Sequence, residues 1–128
     1  MDLYRQQILD HYKHPHNFGH LTQKDHSLTL FNSVCGDKIT MEMKFSSDHK
    51  TIEAIKFSGV GCAISQASAS LLTDVVNHTT IEQTLSLNTD TVLNLLNADL
   101  TPSRIKCALL PLEVIQKCIL EWKKDTMV

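Results

Sequence analysis

Between Leu28 and Phe57 apolar side chains recur at every second position, whereas from Ala63 onward they recur at every third and fourth. This change of period constrains the chain to a sheet built first and helices laid against it afterwards. Ile39, Met41, Met43 and Phe45 alternate with Thr40, Glu42 and Lys44, the pattern of a strand with one buried face. Leu28, Leu30 and Val34 mark a preceding strand, joined to it through Cys35-Gly36-Asp37-Lys38 as a hairpin. After a turn at residues 46–50, residues 51–57 give a third strand with Ile55 and Phe57 on one face. The predicted sheet is a three-stranded antiparallel meander.

A first helix is predicted over Leu3–Tyr12 with Asp2 as its N-cap, ending near His14-Pro15 at a loop broken by Pro15 and Gly19. The stretch from Ala63 to Val76 carries Ile64, Ala67, Leu71 and Val75 at helical spacing, and its Ser/Ala content predicts close packing on another element. Residues 80–87 and 89–97 read as short helices, each opened by a threonine cap. A last helix from about Ala108 to Lys124 buries Leu112, Ile115, Ile119 and Trp122. Its start is set near Cys107 because Pro111 is best tolerated in the first turns. The expected fold class is α+β, a three-stranded antiparallel sheet with helices packed on one face, in a single domain over residues 1–128.

With a formal charge of -2, the chain offers no basic field for nucleic acid or an anionic membrane. It contains no apolar run of about 18 residues, and its start lacks the apolar core of a signal peptide. A cytoplasmic setting is expected. There the four cysteines are metal ligands, nucleophiles or core fillers rather than disulfides.

Cys35 sits in the hairpin connection with Asp37 two residues on, so thiolate and carboxylate can project from one end of the sheet. Cys62 follows Gly59-Val60-Gly61 and begins a helix, where free backbone N–H groups favour thiolate. Cys107 stands near the expected entrance of the last helix, with Arg104 and Lys106 adding positive potential. Three sulfurs and one carboxylate suit tetrahedral Zn²⁺, or a small iron–sulfur cluster with one non-cysteine ligand. Buried apolar packing is the competing reading for Cys35 and Cys62, opposed by their glycine-rich positions. Cys118, beside the apolar stripe of the last helix, is assigned to the core. His11, His14, His16 and His20 are divided by Pro15 and by loop residues and are read as solvated or loop-packing side chains; Met41 and Met43 are read as one strand face.

The ordered set "VCGD", "GVGCAISQASAS" and "RIKC", preceded by "LYRQQILDHYKHPHNFG", resembles the U-type iron–sulfur assembly proteins: IscU, the NifU N-terminal domain and SufU. The resemblance implies a transient [2Fe–2S] cluster, or Zn²⁺ in its place, at Cys35, Asp37, Cys62 and Cys107. It also implies persulfide sulfur delivered by a cysteine desulfurase of SufS/IscS type, with apo iron–sulfur proteins or a carrier as recipients. Cys107 is the sulfur acceptor in the IscU-like version and Cys35 its competitor in a zinc relay. Lys106 stands where IscU-type members have histidine; an ammonium cannot ligate, and is a candidate stabiliser of the neighbouring thiolate. "RIKCALLP" resembles SufU, although the interval from Cys62 to Cys107 is too short for the usual SufU insertion. The two function readings are a cluster scaffold and a zinc-dependent sulfur relay. Behind them stand a structural zinc module and a thiol hydrolase, the latter lacking a histidine near Cys62 or Cys107 to act as base.

Overall fold

In a computed structural model of the chain, residues 3–33 and 36–126 are described. Strands β1 (His26–Asn32), β2 (Asp37–Phe45) and β3 (Ile52–Val60) form an antiparallel sheet in the order β1-β2-β3. Leu28 pairs with Met41 and Leu30 with Ile39, while Met41 and Met43 pair with Phe57 and Ile55 on the other side. Directly opposed residues of an antiparallel ladder share a face. The pairing therefore gathers Ile39, Met41, Met43 and Phe57 on one face, all at 0% exposure. A register irregularity at Lys44/Phe45 sets Phe45 opposite Ile52, which lets both Ile52 and Ile55 point inward despite their odd spacing.

Helices α2 (Ala63–Val76) and α5 (Pro102–Thr126) cover this face, with α1 (Leu3–Lys13) packed on α2. The short α3 (Ile81–Ser86) lies against α5, and α4 (Thr89–Leu96) against both α2 and α5. The α+β architecture is the one expected. Phe45 stacks on Trp122 with ring centroids 3.8 Å apart, tying the far end of the sheet to α5. In α2 the consecutive residues Ser65 to Ser70 are all buried, and all but Gln66 are small, which lets α1 and α5 approach closely.

Several boundaries differ from the sequence expectation. Strand β3 continues past Phe57 to Val60 because Gly59 can lie directly on β2, where an added Cβ would meet the Lys38 carbonyl oxygen at 2.0 Å. Asp37 and Lys38 belong to β2 rather than to the connection. Helix α5 starts at Pro102, so Cys107 lies inside it and Pro111 sits mid-helix. Proline at the first helical position costs nothing, since its missing N–H has no partner there. Pro111 has no N–H to return to the preceding turn, and in that turn the buried Ser68 hydroxyl donates to the Ala108 carbonyl at 2.6 Å, tying α5 to α2. The α4 cap is Asn88 rather than Thr89, in a reciprocal pair with Thr91. Val76 rather than Val75 enters the core. The expected Asp2 cap and the positions of Val34 and Cys35 lie outside the described residues.

The loop after α1 docks on α2 through His16, with His11 of α1 beside it, while His14 stays exposed. The His16 backbone N–H donates to Ser70 Oγ at 2.8 Å, leaving the Ser70 hydroxyl proton for His11 Nδ1 at 2.6 Å. His16 Nδ1 meets Asp74 Oδ2 at 2.5 Å, and the Asn17 amide donates to Thr73 Oγ1 and Asp74 Oδ1. The chain then lines the free edge of β3: the Phe57 N–H donates to the Asn17 carbonyl and the Gly19 N–H to the Phe57 carbonyl. From there it crosses the outer sheet face, held by Glu42. The Glu42 carboxylate accepts from Leu21 N–H at 2.8 Å, meets His20 Nδ1 at 2.6 Å and has Lys24 Nζ at 3.6 Å. Alternation placed Glu42 among the solvent-facing residues of β2; the strap buries it to 4% exposure.

Burial pushes the His11 pKa below its ordinary 6.5, His16 adds to this, and Asp74 and Asp10 oppose it. Desolvation tends to raise Glu42, but bonds from His20 and Leu21 and the Lys24 charge together hold it below 4.5. Both groups bind protons less readily when folded, so their contributions are complete above the unfolded values and are lost as pH falls. Thermal melting should therefore weaken first as pH drops below 6.5, through His11, and again below 4.5, through Glu42. In a pH series of melting curves, His11→Gln should flatten the first decline and leave the second. An unchanged first decline would remove His11 from the account.

Candidate metal and sulfur site

The three-dimensional site is made by the ends of the elements just described. Asp37 opens β2 opposite Asn32, the last residue of β1, and both lie on the inward face. Asp37 is 1% exposed, an unusual position for a carboxylate without a partner. Its partner is the backbone N–H of Cys62, which donates to Oδ1 at 2.8 Å, while Oδ2 lies 4.0 Å from Cys62 Sγ. One oxygen is thus anchored and the other faces the thiol.

Cys62 is the N-cap residue of α2, at the helix entrance expected from the sequence. Its thiol is 3.9 Å from Ser65 Oγ, whose own proton goes to the Cys62 carbonyl at 3.1 Å. Gly61 leaves the room for this arrangement: an added Cβ would sit 2.2 Å from Asp37 Oδ1 and 2.8 Å from Ser65 Oγ. From the opposite side α5 brings Cys107, fully buried, with the Asn32 amide nitrogen 3.7 Å from its sulfur.

Asp37, Cys62 and Cys107 each present a ligand atom, all within 4.8 Å of one another. Cys107 is disulfide-bonded in this structure, against the expectation of free thiols, so it ligates only after reduction; tetrahedral zinc with Zn–S near 2.3 Å then spaces its sulfurs by roughly 3.8 Å, which a small inward closure supplies. Two soft sulfurs and one carboxylate oxygen fit zinc, and equally the iron of a small cluster. Of the four predicted ligands the structure gathers these three. Cys35, two residues before Asp37 in the chain, lies outside the described residues.

The other cysteine behaves as assigned. Cys118 is buried in the core, and burial, with Glu121 adding to it, pushes its thiol up to about 12. Lys106 is exposed on α5, next to Cys107 in sequence but turned from it by a helical step of about 100°. It lines a hollow with Phe31, Asn32 and Glu113. A groove of about 1000 Å³ opens on another side of the site, where Ile64, Leu100 and Ile105 lie among Arg5, Arg104 and Asp99. Asn32 and Ser65 were not anticipated from the sequence. Ser65 has a weak signal, three residues after a helix-capping cysteine; Asn32 has none until the hairpin register pairs it with Asp37.

Residues 3–128 match the family model described as NifU-like N terminal domain. The chain belongs to this family. It is 36% identical to the zinc-dependent sulfurtransferase SufU of Bacillus subtilis, over 90% of this chain and 88% of that protein. It is 31% identical to the iron–sulfur cluster assembly scaffold protein IscU 1 of Archaeoglobus fulgidus, over 94% of this chain and 76% of that one. Among solved structures, a NifU-like N-terminal protein from Brucella abortus superposes with a TM-score of 0.76 at 20% identity, covering 94% of each chain, a likeness of fold. The NifU-like domain thus has relatives named for both of the chemistries expected from the sequence. No helix among its described residues is long and apolar enough to cross a membrane.

Proposed function

We propose that this NifU-like domain is an iron–sulfur cluster assembly protein that accepts persulfide sulfur from a cysteine desulfurase and holds a transient [2Fe–2S] cluster for apo-protein recipients. The observation that carries the reading is the convergence of Asp37, Cys62 and Cys107 from three separate elements at one end of the sheet. Cys35 completes the set. In sulfur transfer, the thiolate of Cys107 or Cys35 attacks the terminal sulfur of the desulfurase persulfide. The old S–S bond breaks, the desulfurase cysteine leaves as thiolate, and a persulfide remains on this chain. Asp37, a harder donor than the thiolates, is the ligand through which a cluster is most readily surrendered.

The second reading is a zinc-dependent sulfurtransferase, favoured by the likeness to the Bacillus protein so named. The same four residues would hold Zn²⁺, whose charge keeps the thiols deprotonated near neutral pH. Lys106 then serves as a nearby cation for the incoming persulfide anion.

Protein isolated without air and assayed for iron, zinc and sulfide separates the two. Addition to the cognate desulfurase with cysteine should raise turnover in either case, and mass spectrometry should find the persulfide on Cys107 or Cys35. Absence of stimulation, or a persulfide confined to Cys118, would overturn the acceptor role. Lys106→Ala should slow sulfur uptake while leaving metal content unchanged, because lysine contributes no ligand; equal loss of both would assign it a structural part instead.

A further inference from the structure

The two borders of the sheet differ. On β3 the Phe57 N–H and C=O point away from β2 and are taken up by Asn17 and Gly19. Hydrogen-bonded and non-hydrogen-bonded pairs alternate along an antiparallel ladder, so Met41, opposite Phe57, turns its own amide and carbonyl the other way, toward Leu28. Even-numbered residues of β1 therefore bond β2, and the N–H and C=O groups of Ser27, Thr29 and Phe31 point outward. No hydrogen bond from any described residue reaches these groups.

This open border runs to the cysteine site, since Phe31 precedes Asn32, the residue opposite Asp37. There Phe31 and Ser33 share a hollow of about 420 Å³ with Lys106, Leu109 and Glu113. Phe31 is 70% exposed, and the Lys38 ammonium lies 5.9 Å from its ring centroid. Glu113 is already paired with Lys117 at 2.9 Å, whereas Lys38 and Lys106 form no ion pair among the described residues. The border thus offers main-chain hydrogen bonds, a partly apolar hollow and uncompensated positive charge.

We propose, on the cluster-assembly reading above, that the β1 border is the docking edge for an apo iron–sulfur protein, which lays an extended, acidic, cysteine-bearing segment along it as an added strand. Strand addition takes its affinity from main-chain hydrogen bonds and its specificity from pockets for alternate side chains. The hollow beside Phe31 supplies one such pocket, and Lys38 and Lys106 match carboxylates on the segment. A recipient that lacks its metal has ligand segments not yet folded, because metal binding and folding are coupled. Their backbone groups are free to pair with Ser27, Thr29 and Phe31. Pairing that reaches Phe31 carries the next residues of the segment to Asp37 and Cys62.

Hydrogen exchange of the full chain, with and without an acidic apo-[2Fe–2S] ferredoxin, reads this pairing directly. The amides of Ser27, Thr29 and Phe31 should slow on mixing, while those of Leu28 and Leu30, already bonded to β2, stay as they were. Thr29→Pro removes the central outward N–H at a position where an edge strand tolerates proline. It should slow cluster transfer to the ferredoxin roughly 10-fold, the worth of one hydrogen bond, and leave desulfurase stimulation unchanged. Thr29→Val keeps the N–H, loses only the contact between the Thr29 and Thr40 hydroxyls, and should transfer normally. Equal loss of transfer in both variants, absence of the alternating protection, or the same protection produced by the desulfurase or by concentrating the chain alone would overturn the proposal. Alternating protection in a wild type that passes on no cluster would instead overturn the assembly reading and leave the docking edge standing.

Discussion

Gly61→Ala should abolish tight metal binding and leave the core folded. A methyl group at this position would lie 2.2 Å from Asp37 Oδ1 and 2.9 Å from Asp37 Cγ, far inside van der Waals contact. The Asp37 carboxylate is buried and held by the Cys62 N–H. Either the carboxylate swings off the N–H or the segment carrying Cys62 moves outward. Each outcome separates ligands that now lie within 4.8 Å. Displacing a ligand costs more than losing a hydrogen bond to one, so affinity should fall by about 100-fold or more. Competition titrations with a chelator measure this, and melting curves of the metal-free protein supply the folding control. Wild-type affinity in Gly61→Ala would show that Asp37 is not placed by this contact.

Phe57→Ala should be the most damaging change to the fold itself. The ring is fully buried at the centre of the sheet opposite Met41, and the edge of Phe18 meets it at 5.3 Å between centroids. Truncating a buried phenylalanine costs about 3–5 kcal/mol, against a total stability on the order of 5–15 kcal/mol for a domain. The urea midpoint should drop sharply, with the loop at Asn17–Gly19 loosened as well, because its backbone partner is the same residue. A loss below about 1 kcal/mol would mean that the site refills by collapse of its neighbours.

The sheet was legible because alternation in Ile39–Phe45 is strong and every apolar residue there faces the core. The register shift beside Phe45 was not, since it depends on which residue of β3 stands opposite, a non-local choice. The bounds of helix α2 were readable from its periodicity and small residues, although its last core residue is Val76 rather than Val75. The start of α5 was misjudged because local reasoning treats Pro111 as a boundary, while packing of the helix on α2 and on β1 and β2, a non-local matter, carries it through that position. Glu42 was misplaced for a similar reason: the strap that covers it arrives from the far edge of the sheet. For the candidate site, Asp37, Cys62 and Cys107 were named from residue type and motif. Their mutual approach, the anchoring of one Asp37 oxygen and the Asn32 contact are products of tertiary pairing.

The Asn17–Gly19 segment that borders β3 also bears on how the protein behaves in company. An outer strand with open amides is a template onto which another chain can add its own strand. Here the Phe57 amide and carbonyl are already engaged by the protein's own loop, and Pro15, which has no amide proton to offer, stands just ahead of it. The covering therefore acts as a guard against self-recruitment. Shortening the segment between Pro15 and Gly19 should expose that hazard as aggregation under conditions where the intact chain stays dispersed.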